Sequence, residues 1–217
     1  MPALISHKLS FQLHTGEWLF QNIDFSLEKG LTGLIGRNGV GKSVFIDLLL
    51  GKLKPTKGQV TCLYQPLHYS QLATSLTKAS ESICDFLGIS EKLSALNAIE
   101  QGSCKQAHFD LIGDDWDIKK QIQITLKSLN ITSELNAYCD TLSGGQLVLL
   151  KLYKLFESEA KILLLDEPSN HFDAEGRNWL VQKIKFRWSD TFSKSRQQVV
   201  DAFKQSLSAF KSGLAVF

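Results

Sequence analysis

The stretch GRNGVGKS at positions 36–43 sets glycine, lysine and serine at the spacing G-x-x-x-x-G-K-[ST]. That order suits phosphate chemistry. Glycines let backbone N–H groups turn inward around an anion, and the lysine adds a positive charge. Gly36, Arg37, Asn38, Gly39, Val40 and Gly41 form the wrapping loop. Lys42 is placed to reach the β- and γ-phosphates of a nucleotide, and Ser43 to ligate Mg²⁺. A second constellation is ILLLDEP at 162–168. Its apolar run predicts a buried strand with Asp166 at the carboxyl end, where open α/β sheets bind ligands. Asp166 suits a Mg²⁺ role, directly or through water. Glu167 suits a base that orients an attacking water.

Several elements must position these groups. KLSFQL and WLFQNIDFSL alternate apolar and polar residues around a Thr15-Gly16 break, which predicts an antiparallel strand pair. LTGLIG is a short strand entering the phosphate loop, and KSVFIDLLLGKL a helix leaving it, ended near Gly51. GQVTCLYQ reads as a strand, and residues 66–80 as polar loop. Residues 81–130 read as broken helix. Ser90 is a candidate cap for EKLSALNAIE, and Ile118, Ile122, Leu126 and Leu129 share a helix face. GGQLVLLKLYKLFES and DAEGRNWLVQKIKF read as helices on either side of the buried strand. Strands alternating with helices predict an α/β fold with a parallel core sheet.

Bulk composition narrows the classes. The chain has 217 residues, 43% hydrophobic and 21% charged, which fits a folded globular protein. A net charge of +2 gives no bulk argument for nucleic acid. The four cysteines, Cys62, Cys84, Cys104 and Cys139, form no CxxC pair and lack a histidine cluster, which argues against zinc and against a disulfide framework. The amino-terminal stretch lacks a signal-peptide layout, and the apolar runs are too short to span a bilayer, so the expectation is a cytoplasmic chain.

Between the two phosphate-related motifs lies LSGGQ, at 142–146. The phosphate loop, LSGGQ and LLLDEP in this order resemble the ATP-binding cassette (ABC) family of P-loop NTPases, over about residues 4–185. The resemblance implies ATP and Mg²⁺ as cofactors. It also implies a sandwich, in which ATP on one phosphate loop is closed over by the LSGGQ of a second cassette, from a copy or another chain. Ser143, Gly144, Gly145 and Gln146 then supply the second half of the site, at a helix start suited to a γ-phosphate. By the same resemblance Gln65 senses Mg²⁺ and the attacking water, and Phe11 stacks on adenine. The implied cassette covers residues 1–185, with a helical signature subdomain and short insert at about 66–157, and residues 186–217 form an atypical tail.

DEPSNHFD, at 166–173, is similar to the run of the ABC-F branch, whose members carry two cassettes and no membrane domain and in many cases act on the ribosome. The expectation is therefore an ABC-F-type soluble ATPase. The alternatives are the ATPase subunit of a membrane transporter and a non-enzymatic ATP-binding remnant. The insert does not support RNA contact: DLIGDDWD is acidic and reads as a solvated helix start.

Two departures qualify the resemblance. The first cation after LSGGQ is Lys151, where the family usually has arginine. The family also places a switch histidine after a further core strand, yet His171 is the last histidine here and the later window reads RQQVVDAFKQ. The core sheet is thus expected to be incomplete at its carboxyl-terminal part, with turnover weak or absent. The reading is a cassette truncated or frame-shifted after about residue 185, the alternative being a deliberately short cassette. Val200, Phe203, Leu207, Phe210 and Leu214 nevertheless recur at helical spacing, which predicts a helix able to dock over a bare sheet edge.

Overall fold

The computed structural model describes residues 2–28, 30, 32–35, 39–70, 80–166, 168, 172–187 and 213–216. The chain divides into two compact units, one of residues 1–73 and 155–217, the other of residues 74–154.

In the first unit, β1 (Leu4–Gln12) pairs antiparallel with β2 (Trp18–Leu27) and with β4 (Lys57–Cys62). Simple alternation along β1 fails at Lys8, whose positive φ of 45° marks an irregularity in the register. Two buried serines manage that break. The Ser6 hydroxyl donates to the Ile23 carbonyl and accepts from Phe25 N–H, while Asn22 N–H donates to the Ser10 hydroxyl. Buried backbone groups displaced from a ladder need such partners. At Gly58, φ is +78°, and a Cβ would lie 2.2 Å from the Lys8 carbonyl oxygen, so only glycine fits where β4 meets the irregularity.

The second sheet has the order β3-β7-β6-β5, from β3 (Thr32–Ile35), β5 (Leu67–Ser70), β6 (Leu163–Asp166) and β7 (Gly213–Val216). β5 and β6 are parallel, whereas β7 runs antiparallel to both β3 and β6. The helix α1 (Lys42–Leu49) packs Ile46 and Leu49 against Leu4, Ile162 and Leu164, all nearly fully buried. Each such side chain contributes about 1.5–3 kcal/mol by leaving water. The helix α7 (Ala174–Arg187) buries Leu180 and Ile184 and stacks Trp179 edge-on against Phe156.

The second unit is helical: α2 (Ile83–Leu87), α3 (Ser90–Glu100), α4 (Gln106–Ile112) and α5 (Ile118–Ser128), followed by the first turns of α6 (Gly144–Glu157). Ala95, Leu96 and Ile112 form its centre. On α5 the predicted face turns inward, with Leu126 and Leu129 fully buried and Ile118 and Ile122 half-buried.

Several expectations change. The core sheet is mixed rather than parallel, because β7 runs antiparallel to both of its neighbours. Residues 67–70 are a strand rather than loop, because Leu67 and Tyr69 alternate with polar residues on a ladder to β6. Ser90 does not cap α3: it is the first helical residue, and its hydroxyl donates to the Asp85 carboxylate at 2.5 Å. Leu214 belongs to strand β7 rather than to a helix, while Val200, Phe203, Leu207 and Phe210 lie outside the described residues.

Candidate functional site

The phosphate loop lies between β3 and α1, as its chemistry requires. Gly36, Arg37 and Asn38 lie outside the described residues. Gly39 (φ 81°) and Gly41 (φ 97°) both occupy left-handed backbone, with exposed Val40 between them. Gly41 is the residue before α1, and a Cβ there would meet Leu19 Cδ2 at 2.5 Å. The left-handed backbone thus favours glycine at the point where the loop becomes helix, and a Cβ there would also have to displace the Leu19 side chain.

Lys42 opens α1 and is buried, at 8% exposure. The helix N-terminus adds a partial positive charge at the same place. One residue further on, the Ser43 hydroxyl donates to Asp166 Oδ2 at 3.0 Å, across 123 positions of sequence. Hydroxyl and carboxylate oxygens are the ligands a hard divalent cation takes, and Mg²⁺ commonly keeps one or two protein ligands beside phosphate and water. The pair therefore fits Mg²⁺ held against a nucleotide phosphate. Asp166 ends β6 with its strand buried behind it, so its carboxylate stands at the carboxyl edge of the sheet. Glu167 lies outside the described residues, as do Ser169, Asn170 and His171. Phe172 is buried, and Asp173 accepts from Gly176 N–H at 2.8 Å, closing the first turn of α7.

The signature serine and glutamine bond reciprocally. Ser143 N–H donates to Gln146 Oε1 at 3.0 Å, and Gln146 N–H donates to Ser143 Oγ at 3.3 Å. This is the capping-box arrangement, two otherwise orphaned donors satisfied together at the start of α6. Gln146 Nε2 also donates to the Asn130 carbonyl at 2.5 Å, tying the helix start to the end of α5. Gly144 has open space where a Cβ would be. Further along α6, burial holds the Lys151 ammonium below its ordinary pKa.

Phe11 sits opposite Phe20 in the β1–β2 ladder, ring centroids 6.3 Å apart. Phe20 meets Phe45 of α1 edge-on at 5.9 Å, and Phe45 meets Phe25 at 5.3 Å. Phe11, half-buried, is the outer member of this aromatic series.

Gln65 is the site residue that the structure displaces. β4 ends at Cys62, so Gln65 does not end that strand; it lies exposed on the link to β5. The parallel register sets Leu67 against Leu163 and Ser70 against Asp166. Gln65 therefore precedes the amino end of β5, while Asp166 stands at the opposite end, roughly 10 Å of strand away. That placement does not support a metal or water-sensing role. The signal missed in the sequence was LHYS, a second short strand of its own; Gln71, the next residue, lies outside the described residues.

Phosphate loop, buried lysine and Ser43–Asp166 pair on one α/β sheet define a P-loop nucleotide-binding domain. A family profile described as "ABC transporter" matches residues 20–170. The chain belongs to that family, as an ATP-binding cassette. The molybdate import ATP-binding protein MolC of Haemophilus influenzae is 30% identical over 184 residues, covering 84% of this chain and 66% of that protein. The cytochrome c biogenesis ATP-binding export protein CcmA of Idiomarina loihiensis is 31% identical over 188 residues, covering 84% of this chain and 79% of that one. The structure of cbiO1 from Clostridium perfringens, part of the ABC transporter complex cbiONQ, has the same fold, with a TM-score of 0.56 at 21% identity over 87% of this chain and 74% of that one. Among the described residues no helix is long and apolar enough to cross a membrane.

Proposed function

We propose that this chain is the ATP-binding subunit of a membrane transporter. It binds Mg-ATP on its phosphate loop and works when closed against a second cassette. The observation that carries the nucleotide half is the 3.0 Å contact from Ser43 to Asp166 beside buried Lys42. Lys42 and the backbone after Gly39 hold the β- and γ-phosphates, Ser43 and Asp166 hold the metal, and Glu167 orients the attacking water. The metal supplies charge neutralisation on the phosphates. Ser143 and Gln146 keep the LSGGQ backbone preset for the γ-phosphate of the partner's ATP. Gln71, by its chain position after β5, takes the sensing role first assigned to Gln65. The transporter half draws its support from relatives such as MolC and CcmA, whose names are those of import and export ATP-binding proteins.

Binding is tested by titrating a fluorescent ATP analogue. Lys42→Ala is expected to lower affinity at least about tenfold, the order of one charge-assisted contact. Unchanged affinity would remove the site assignment. The transporter assignment is tested by purification from solubilised membranes. An integral membrane protein recovered in stoichiometric amount supports it, and a strictly soluble distribution removes it.

A second reading, the ABC-F-type soluble ATPase, is favoured by SNHFD at 169–173. It predicts cosedimentation with ribosomes, with no membrane partner. In either reading the window RQQVVDAFKQ, at 196–205, holds no histidine where the family places its switch residue, which favours slow turnover. Hydrolysis above background that Glu167→Gln abolishes would show that the chain turns over without that histidine.

A further inference from the structure

The two halves of the nucleotide site stand on strands that do not pair with each other. β3 carries the phosphate loop and β6 carries Asp166, and between them lies β7. On one side Thr32, Gly33, Leu34 and Ile35 face Val216, Ala215, Leu214 and Gly213; on the other, Leu164, Leu165 and Asp166 face Val216, Ala215 and Leu214. Among the described residues, the ladder that joins these two strands therefore runs through Gly213–Val216. Two strand spacings, about 9.5 Å, separate β3 from β6. The Ser43–Asp166 contact is made across that interval.

The segment suits the slot. A strand flanked on both sides needs every backbone group paired and therefore no proline. Gly-Leu-Ala-Val satisfies this. Its direction matters as well. Because β7 is antiparallel, its amino end, Gly213, lies opposite Ile35, and Leu214 lies opposite Asp166. The residues that enter the sheet first are thus those beside the phosphate loop and the metal carboxylate.

We propose that Gly213–Val216 is a positioning strand for the Mg-nucleotide site. It fills a slot between β3 and β6 by strand addition and holds Ser43 and Asp166 at the separation one cation can bridge. With the slot vacant, β3 and β6 have two alternatives. They expose unpaired N–H and C=O groups, or they close up by about 4.8 Å, one strand spacing. Mg²⁺ demands ligands at about 2.0–2.1 Å in near-octahedral order, so either outcome removes the bridging geometry. The phosphate loop and Lys42, both on the β3 side, keep their own grip on the phosphates. The inference rests on the Mg-ATP reading above and adds that metal-dependent binding is controlled from residues 213–216.

Two measurements on the full chain test it. The first is amide hydrogen exchange in β3 and β6 of the unaltered protein. Protection at Leu34 and Leu165 matching that of the β5–β6 ladder is expected; fast exchange along both facing edges would overturn the placement, whatever the nucleotide result. The second compares nucleotide affinity with and without Mg²⁺ in Ala215→Pro, which removes one N–H from the middle of β7. The expected result is a loss of at least tenfold in Mg-ATP affinity with less than a twofold change in metal-free affinity. Equal Mg-ATP binding by the variant and the parent overturns the proposal. If the parent itself shows no binding that depends on Lys42, the Mg-ATP reading fails instead, and the exchange data still judge the strand.

Discussion

At the scale of single residues, the Ser43–Asp166 contact makes a sharp demand. Asp166→Asn removes the charge that attracts the metal but keeps the size of the side chain. The expected result is that Mg²⁺ no longer strengthens ATP binding, while metal-free binding stays within a few-fold, read by titration with and without the ion. Gly58 makes a different demand. Gly58→Ala sets a methyl group 2.2 Å from a backbone carbonyl in left-handed conformation, so a destabilisation of about 2 kcal/mol or more is expected from denaturant unfolding. The two residues differ in how readily sequence reveals them. Serine after Gly-Lys and aspartate after an apolar run carry their chemistry in their spacing. Gly58 looks like any glycine at a strand start, and only the approach of Lys8 explains it. Gln65 was misplaced for a related reason: a glutamine after an apolar run looked like a strand end, but the strand stops at Cys62.

At the scale of elements, the capping box of α6 and the strand β5 each give a prediction. Gln146→Ala removes one arm of the box and the tie to Asn130, and about 1 kcal/mol of stability should go with it, measured by thermal or urea unfolding. On β5, burial holds the His68 imidazole below its ordinary pKa of 6.5, and Lys52 adds to that against the pull of Asp47. The unfolded chain then binds the proton first as pH falls. Stability is unaffected by this group well above pH 6.5 and declines as pH drops below it. His68→Phe should flatten the fall in unfolding free energy between about pH 7 and 5. The same histidine explains why β5 was not legible. His68 and Ser70 make LHYS look polar, and its strand character comes from pairing with Leu163 and its neighbours, more than ninety residues away. The helices α1, α5 and α6 were readable because they carry their apolar periodicity within themselves, and the four-residue β6 because it is an unbroken apolar run up to Asp166.

At the scale of the whole molecule, these 217 residues hold one phosphate loop and one LSGGQ, and a sandwich needs two of each. A Glu167→Gln variant, slowed in hydrolysis, should accumulate the closed state in Mg-ATP. If the second cassette is a copy of this chain, sedimentation should show a nucleotide-dependent dimer that Lys42→Ala abolishes. A chain that stays monomeric at saturating Mg-ATP points to a different partner cassette. The fold class was legible because three short motifs occur in the right order along alternating strands and helices. The strand at 213–216 was not. A heptad-like recurrence through Leu214 pointed to a helix, whereas a slot between two distant strands imposes extended backbone on whatever enters it. Local periodicity carries no trace of such a slot.

That slot has a consequence for how mutations there should be tolerated. Strand addition reads the main chain, and its demand on side chains is little more than apolar and not proline. The four positions therefore carry very little information for the structural work they perform. A saturation scan across Leu214, Ala215 and Val216, scored by Mg-ATP binding, should be nearly silent for aliphatic exchanges and sharply negative for proline. Recognition of this kind is degenerate by nature: unrelated extended segments of similar character could occupy the same place in the sheet, so the identity of the tail and the integrity of the site are only loosely coupled.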